Sequence, residues 1–300
     1  MERQLYVTRS GTCEARERRA IARQCLNPYI ENQHYNDMAR IITICNNKGG
    51  VGKTTTAVNL GAGLRLRGYN VLLVDYDGQS NLTETLRVPV AQDCHTYAAM
   101  RAKTTPYITP VEVMHADGQA GALSVLPSVP DVSALEIEMA EQPDRITRFS
   151  TVIDKYRDKY DVVIIDTPPT LGLLTLSALY AADEVIITVQ PQYLAVRGLV
   201  SVTDIIRQVE ELKGGAVPYY VLFTQYDKRK GLHRMTADEV EGAGFPVFAT
   251  KIRDNVALGE APATGSDIFS YARNSNGAQD YDALTSEYLN RHSIERIDEQ

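Results

Sequence analysis

Three hundred residues leave room for one large domain or two small ones. A hydrophobic share of 44% and a charged share of 23% are those of an ordinary soluble globular protein. The net charge of −7 argues against a wholly basic nucleic-acid binder, though not against a local basic patch, above all one completed in a dimer. The four cysteines (Cys13, Cys25, Cys45, Cys94) are scattered without a Cys-x-x-Cys pair, which points to a reducing compartment and to no metal or cluster site. No apolar run approaches the roughly 18 residues a membrane span needs. The N-terminus carries no signal-peptide core, so a cytoplasmic protein is expected.

Residues 1–37 form a polar extension in which Arg3, Arg9, Arg16, Arg18, Arg19 and Arg23 alternate with acidic residues. A short helix over about Cys13–Cys25 is expected there, and a solvated segment is favoured over a DNA-touching one. The stretch Ile41–Thr56, IITICNNKGGVGKTTT, carries the first strong signal. Its β-branched run Ile41–Ile44 reads as a buried strand. Gly49-Gly50-Val51-Gly52 then make a glycine-rich turn leading to Lys53-Thr54-Thr55, and Thr56–Gly68 reads as a helix. Glycines let the loop curl so that successive N–H groups face phosphate oxygens, and the helix N-terminus adds orphan donors. Lys53 is placed to reach the outer phosphates, and the Thr54 hydroxyl to ligate Mg²⁺. Asn47 stands where such loops usually begin with Gly. Asparagine tolerates positive φ best among other residues, so the loop remains feasible.

Val71–Asp75 is a continuous apolar run suited to a parallel strand buried on both faces. It runs into Asp75-Tyr76-Asp77-Gly78-Gln79-Ser80-Asn81-Leu82-Thr83. Residues 84–121, punctuated by Pro89, Pro106 and Asp117-Gly118, read as helices and loops of a variable insert. A strand is expected over Ala122–Ser128, with helices over Asp131–Met139 and Ile146–Tyr156. Val162–Ile165 is another buried strand, ending in Asp166-Thr167-Pro168-Pro169. Ligands of open parallel sheets bind beyond the carboxyl ends of the strands. Asp166 is therefore expected beside the phosphate loop, holding Mg²⁺ through water while Thr54 ligates it. Further strands are expected over Glu184–Gln190, Tyr219–Tyr226 and Phe245–Arg253. The alternation gives an α/β fold, a doubly wound, mostly parallel sheet in one domain.

KGGVGKTT, with Lys48 at the start of the loop, resembles the deviant Walker A box of the ParA/MinD ATPase family, and within it the ParA/Soj branch. Other blocks strengthen the resemblance from Met38 to about Leu289: DYDGQSNLT, YDVVIIDTPP, RDNVALGEAP and YARNSNGAQDYDALTSEYL. The resemblance implies a P-loop NTPase of the deviant Walker A type over 38–290, with a polar tail at 291–300. It implies ATP and Mg²⁺ as cofactors, bound by Lys48, Gly49, Gly50, Val51, Gly52, Lys53, Thr54 and Thr55. Lys48 would reach the nucleotide of a partner subunit, giving a homodimer bridged by ATP. Asp77 would position the attacking water, with Lys48 and Lys53 as catalytic cations. Gln225 and Arg253 fall where relatives contact the base. Arg207 aligns with an arginine that relatives use on non-specific DNA. A second such arginine falls at Ala257, so the basic surface would draw on Lys213, Lys228, Arg229, Lys230, Arg234 or Arg253. Gly78 replaces the usual proline of the switch, and a more mobile loop is expected from its backbone entropy.

The function implied is a slow, partner-stimulated partition ATPase. It would carry plasmid or chromosomal DNA with a ParB-type centromere-binding partner, without membrane attachment, as a nucleoid-associated cytoplasmic protein. Two other readings stay open: a positioning ATPase for a non-DNA cargo, and a metabolic ATP-dependent enzyme on the same scaffold. The missing cysteine pair disfavours a nitrogenase-like reductase, and the lack of a following substrate domain disfavours an amide synthase.

Overall fold

The computed structural model describes residues 38–102 and 107–292. The expected helix over Cys13–Cys25 and the last eight residues of the tail lie outside that range. The strands are β1 (Arg40–Cys45), β2 (Val71–Asp75), β3 (Val111–Met114), β4 (Leu123–Leu126), β5 (Val162–Asp166), β6 (Glu184–Val189) and β7 (Tyr219–Phe223). They form one sheet in the order β3-β4-β2-β5-β1-β6-β7. Every pairing is parallel except β3 with β4. The central strands are buried along their whole length because helices cover both faces.

The helices are α1 (Lys53–Arg65), α2 (Asn81–Thr85), α3 (Thr96–Arg101), α4 (Leu135–Glu138), α5 (Arg148–Ile153), α6 (Leu173–Ala181), α7 (Ala195–Lys213), α8 (Gly231–Gly242), α9 (Val256–Thr264), α10 (Ile268–Tyr271) and α11 (Asn276–Arg291). On one face α1 lies between the sheet and α11, in a core with Ile42, Ile44, Leu73, Ile164, Tyr281 and Leu284. On the other, Leu72, Val74, Val163 and Ile165 pack against Phe149, Val152 and Leu174 of α5 and α6. Towards β7 a third cluster joins Ile187, Phe223, Leu199 and Ile206.

Three segments differ from their sequence reading. Phe245–Arg253 is no strand: it touches the β7 edge through two isolated bridges, Val221 with Val247 and Tyr226 with Arg253. The Glu287 carboxylate takes the amides of Ala249 and Thr250 at 2.8 Å each and draws the segment off the ladder. That also shields an open sheet edge. The insert contributes an antiparallel edge strand, β3, rather than only helices and loops. The helix expected over Asp131–Met139 is a 3₁₀ segment, Pro130–Ala134, followed by the single turn α4.

Because β2, β5 and β1 are neighbours, their carboxyl ends meet at one rim. Asp75 and Ile44 both stand level with Asp166 in the register. That rim is where the phosphate loop turns into α1.

Candidate active site

The loop from Asn46 to Gly52 is held by its neighbours before any ligand arrives. Asn46 donates its side-chain amide to the Thr188 carbonyl at 2.6 Å and accepts the Lys48 amide at 3.0 Å. Thr224 donates its hydroxyl to the Val51 carbonyl at 2.8 Å. Gln225 donates to the Gly50 carbonyl at 2.7 Å and accepts from Gln190 at 2.6 Å. The left-handed turns fall at Gly50 (φ +71°) and Gly52 (φ +80°), where the missing Cβ removes the steric cost. Asn47 does not adopt positive φ, so the feasibility of the loop rests on those two glycines instead. Gly52 opens α1, and no side chain caps it. The orphan N–H groups of its first turn are therefore left for an anion.

A cavity of about 340 Å³ lies over this turn, lined by the loop glycines, Lys53, Thr54, Thr55, Asp77, Gln79, Pro169 and Gln225, with Leu258, Ala261 and Pro262 at another wall. Lys53 is only 7% exposed, and its ammonium donates to the Lys48 carbonyl at 3.2 Å. Burial lowers its pKa, opposed by the charges of Asp166 and Asp77. Thr54 donates its hydroxyl to Asp166 Oδ2 at 2.6 Å. Asp166 Oδ1 is buried and has no hydrogen-bond partner among the described residues. Burial, and then the nearby Asp75 charge, push the Asp166 pKa upward. A hydroxyl oxygen beside an unsatisfied carboxylate oxygen is the hard donor set Mg²⁺ takes, so Thr54 and Asp166 fit that ion.

Asp77 lies at the cavity wall, accepting the Gln79 amide at 3.0 Å. Its placement depends on residues to which the sequence assigned no role. Asp75 is fully buried, with its pKa pushed up to about 6 by desolvation. It accepts the amide (2.9 Å) and hydroxyl (2.7 Å) of Thr83, and the Asp77 amide at 3.2 Å. Ser128 donates its hydroxyl to the Asp77 carbonyl at 2.8 Å and its amide to Thr83 Oγ1 at 2.9 Å. Tyr76 stacks on Phe149 with ring centroids 3.8 Å apart. The sequence signal was the place of Asp75 and Thr83 in the DYDGQSNLT block; nothing pointed to Ser128.

The remaining candidate residues fall elsewhere. Lys48 is exposed, bonds Gln192, and lines a separate cavity with Asn47, Tyr193 and Arg197 on another side of the loop. Arg253 does not line the phosphate cavity; it clasps Asp280 through Nη2 (2.6 Å) and Nε (3.0 Å). Arg207 is exposed on α7 and pairs with Asp204 at 2.8 Å. Of the other basic candidates, Lys213 donates to the Ala182 carbonyl and Arg229 pairs with Asp227.

A glycine turn between a parallel strand and a helix, a buried lysine, and a Thr–Asp pair at the sheet rim define a P-loop nucleoside-triphosphate-binding protein. The comparisons agree. A family model described as an AAA domain matches residues 39–215. The chain is 35% identical over 258 residues to the chromosome-partitioning ATPase Soj of Treponema pallidum, covering 85% of this chain and 98% of that one. It is 38% identical over 255 residues to the sporulation initiation inhibitor protein Soj of Bacillus subtilis, covering 83% and 98%. The crystal structure of cobyrinic acid a,c-diamide synthase from Mycobacterium smegmatis with bound ADP and magnesium superposes with a TM-score of 0.69 at 30% identity, covering 85% of this chain and 95% of that one. The chain belongs to the ParA/MinD family of P-loop ATPases. No helix among the described residues is long and apolar enough to cross a membrane.

Proposed function

We propose that residues 38–290 form a partition ATPase that dimerises around ATP and carries DNA. Hydrolysis is the part of this reading its own residues supply most directly. The loop amides and Lys53 hold the phosphates, Thr54 and Asp166 hold Mg²⁺, and Asp77 orients the attacking water. Bound Mg²⁺ neutralises charge on the transferring phosphoryl group. The protein's share is positioning and fixed charge.

The observation that carries the dimer is the separation of the two loop lysines. Lys53 is buried in the phosphate cavity, whereas Lys48 starts the same loop, lies outside that cavity and is exposed. An exposed amine beside a phosphate site is available to a facing subunit. The name of the Treponema pallidum relative, a chromosome-partitioning ATPase, favours chromosome partition as the task. A ParB-type partner and a cytoplasmic, nucleoid-associated life complete the reading. Arg207 contributes to phosphate contacts on non-specific DNA, which are salt-sensitive.

The test is duplex binding of no defined sequence, measured against salt with ATP, with ADP and without nucleotide. Binding confined to ATP supports a DNA carrier; equal absence in all three refutes it. A second reading, amide synthesis, has one observation in its favour: the M. smegmatis structure bears a synthase's name, and 95% of its chain is matched. The extent of the match therefore does not separate the two readings, but the duplex experiment does. Asp77→Ala is expected to keep ATP binding while losing hydrolysis at least about a hundredfold, trapping the dimer. Normal turnover in that variant, followed by phosphate release, would remove Asp77 from the mechanism.

A further inference from the structure

The cavity over the phosphate loop has two walls from distant parts of the chain. One is the switch segment with α2, which contributes Asp77, Gln79, Asn81 and Thr85; the other is α9 with its following loop, which contributes Leu258, Ala261, Pro262 and Ser266. The two walls share an apolar core that includes Leu82, Leu86 and Leu258, and one polar side chain reaches from the first to the second. Arg87, just past α2, donates from Nη2 to the Ala263 carbonyl at 2.7 Å. That carbonyl lies in the last turn of α9, where helix carbonyls are left without intrahelical donors and a cation is favoured.

Two backbone features make room for the crossing. Arg87 sits at φ +50°, a left-handed conformation that an arginine rarely adopts. Gly265 sits at φ +77°, ending α9, and a Cβ there would stand 2.7 Å from Arg87 Cδ and 2.9 Å from its Nε. The guanidinium stem thus passes over the one residue type that lets it through. Leu86 and Val88 on either side are buried, so the base of the side chain is anchored in the core.

We propose that Arg87 is a positioning residue that straps the hydrolytic switch to α9, so that a nucleotide seated against α9 also sets the wall carrying Asp77. This rests on the reading of the cavity as the nucleotide site. The strap has no part in the chemistry; its loss loosens both walls at once.

The experiment compares the full chain with Arg87→Ala and Arg87→Lys, using ADP binding, ATP hydrolysis, thermal unfolding and amide hydrogen exchange without nucleotide. In Arg87→Ala, ADP binding is expected to weaken about threefold to tenfold, with KM for ATP rising in step. Exchange is expected to speed up in 81–88 and 256–264 together. Arg87→Lys, which keeps one donor and the charge, is expected to recover part of the affinity. An Arg87→Ala protein that binds ADP like the parent, or that only unfolds at lower temperature with unchanged KM and exchange, overturns the strap. A parent that binds no ADP overturns the nucleotide reading and the strap together, whereas a normal parent beside a normal variant overturns the strap alone.

Discussion

Asp166 is asked to do two incompatible things: stay buried without an ion, and ligate one as a carboxylate. Its pKa is raised by burial, so in the nucleotide-free protein it holds its proton above the usual carboxylate range. An ion held there takes the place of that proton, so binding of Mg²⁺-nucleotide is expected to release protons and to tighten as pH rises from about 4 to about 8. Calorimetry in two buffers of different ionisation enthalpy measures the release; pH-independent binding would contradict the assignment of Asp166. The sign for folding is opposite. A carboxyl with a raised native pKa makes the empty fold less stable as pH climbs through that window, and the cation removes the penalty. Lys53 carries the complementary charge, and Lys53→Ala is expected to cut ATP hydrolysis by at least about a hundredfold while the fold persists, as circular dichroism would verify. These roles were legible because the loop, the helix start and the strand-end aspartate are each local patterns. Asp75, Thr83 and Ser128 were not, since their network joins three segments that meet only at the rim of the sheet.

At the scale of elements, the switch following β2 lies close against the 3₁₀ segment Pro130–Ala134. Gly78 was expected to loosen the loop. The structure adds a steric reason for glycine: a Cβ on Gly78 would stand 2.9 Å from the Ser133 amide and 3.1 Å from the Pro130 carbonyl, with Ser133 Oγ nearer still. Glycine serves close approach here, and its backbone is not left-handed. Gly78→Ala is expected to cost about 1–3 kcal/mol, the range of overpacking, and to lower Tm by several degrees in differential scanning calorimetry. Ser133→Gly in the same chain removes the nearest contact and should recover part of the loss; a Gly78→Ala protein as stable as the parent would show that the two segments slide apart freely.

For the whole molecule, the exposed Lys48 makes the proposed ATP-bridged dimer the assembly to test. Lys48→Ala is expected to leave ADP binding by the monomer within about twofold of the parent and to abolish ATP-dependent dimers, as sedimentation or light scattering would report. A Lys48→Ala protein that still dimerises with ATP would break the link between that amine and the second subunit. The chain's net charge of −7 adds a condition. Any DNA-binding face has to be locally basic against that background, so binding is expected to fall steeply as salt rises.

The sequence by itself determined the parallel core, the phosphate loop and the aspartate beside it, because each depends on runs of a few residues: buried β-branched strands, a glycine turn ending in Lys-Thr, a carboxylate at a strand end. Only the tertiary structure decided which of these meet. The strand order β2-β5-β1 brings Asp75, Asp166 and the loop to one rim. Glu287 pulls a β-like segment off the sheet edge, Asp280 takes Arg253 away from the cavity, and Arg87 reaches α9. Those outcomes depend on contacts between residues far apart in the chain, where a buried or clasped charge settles on the partner that the fold places nearest.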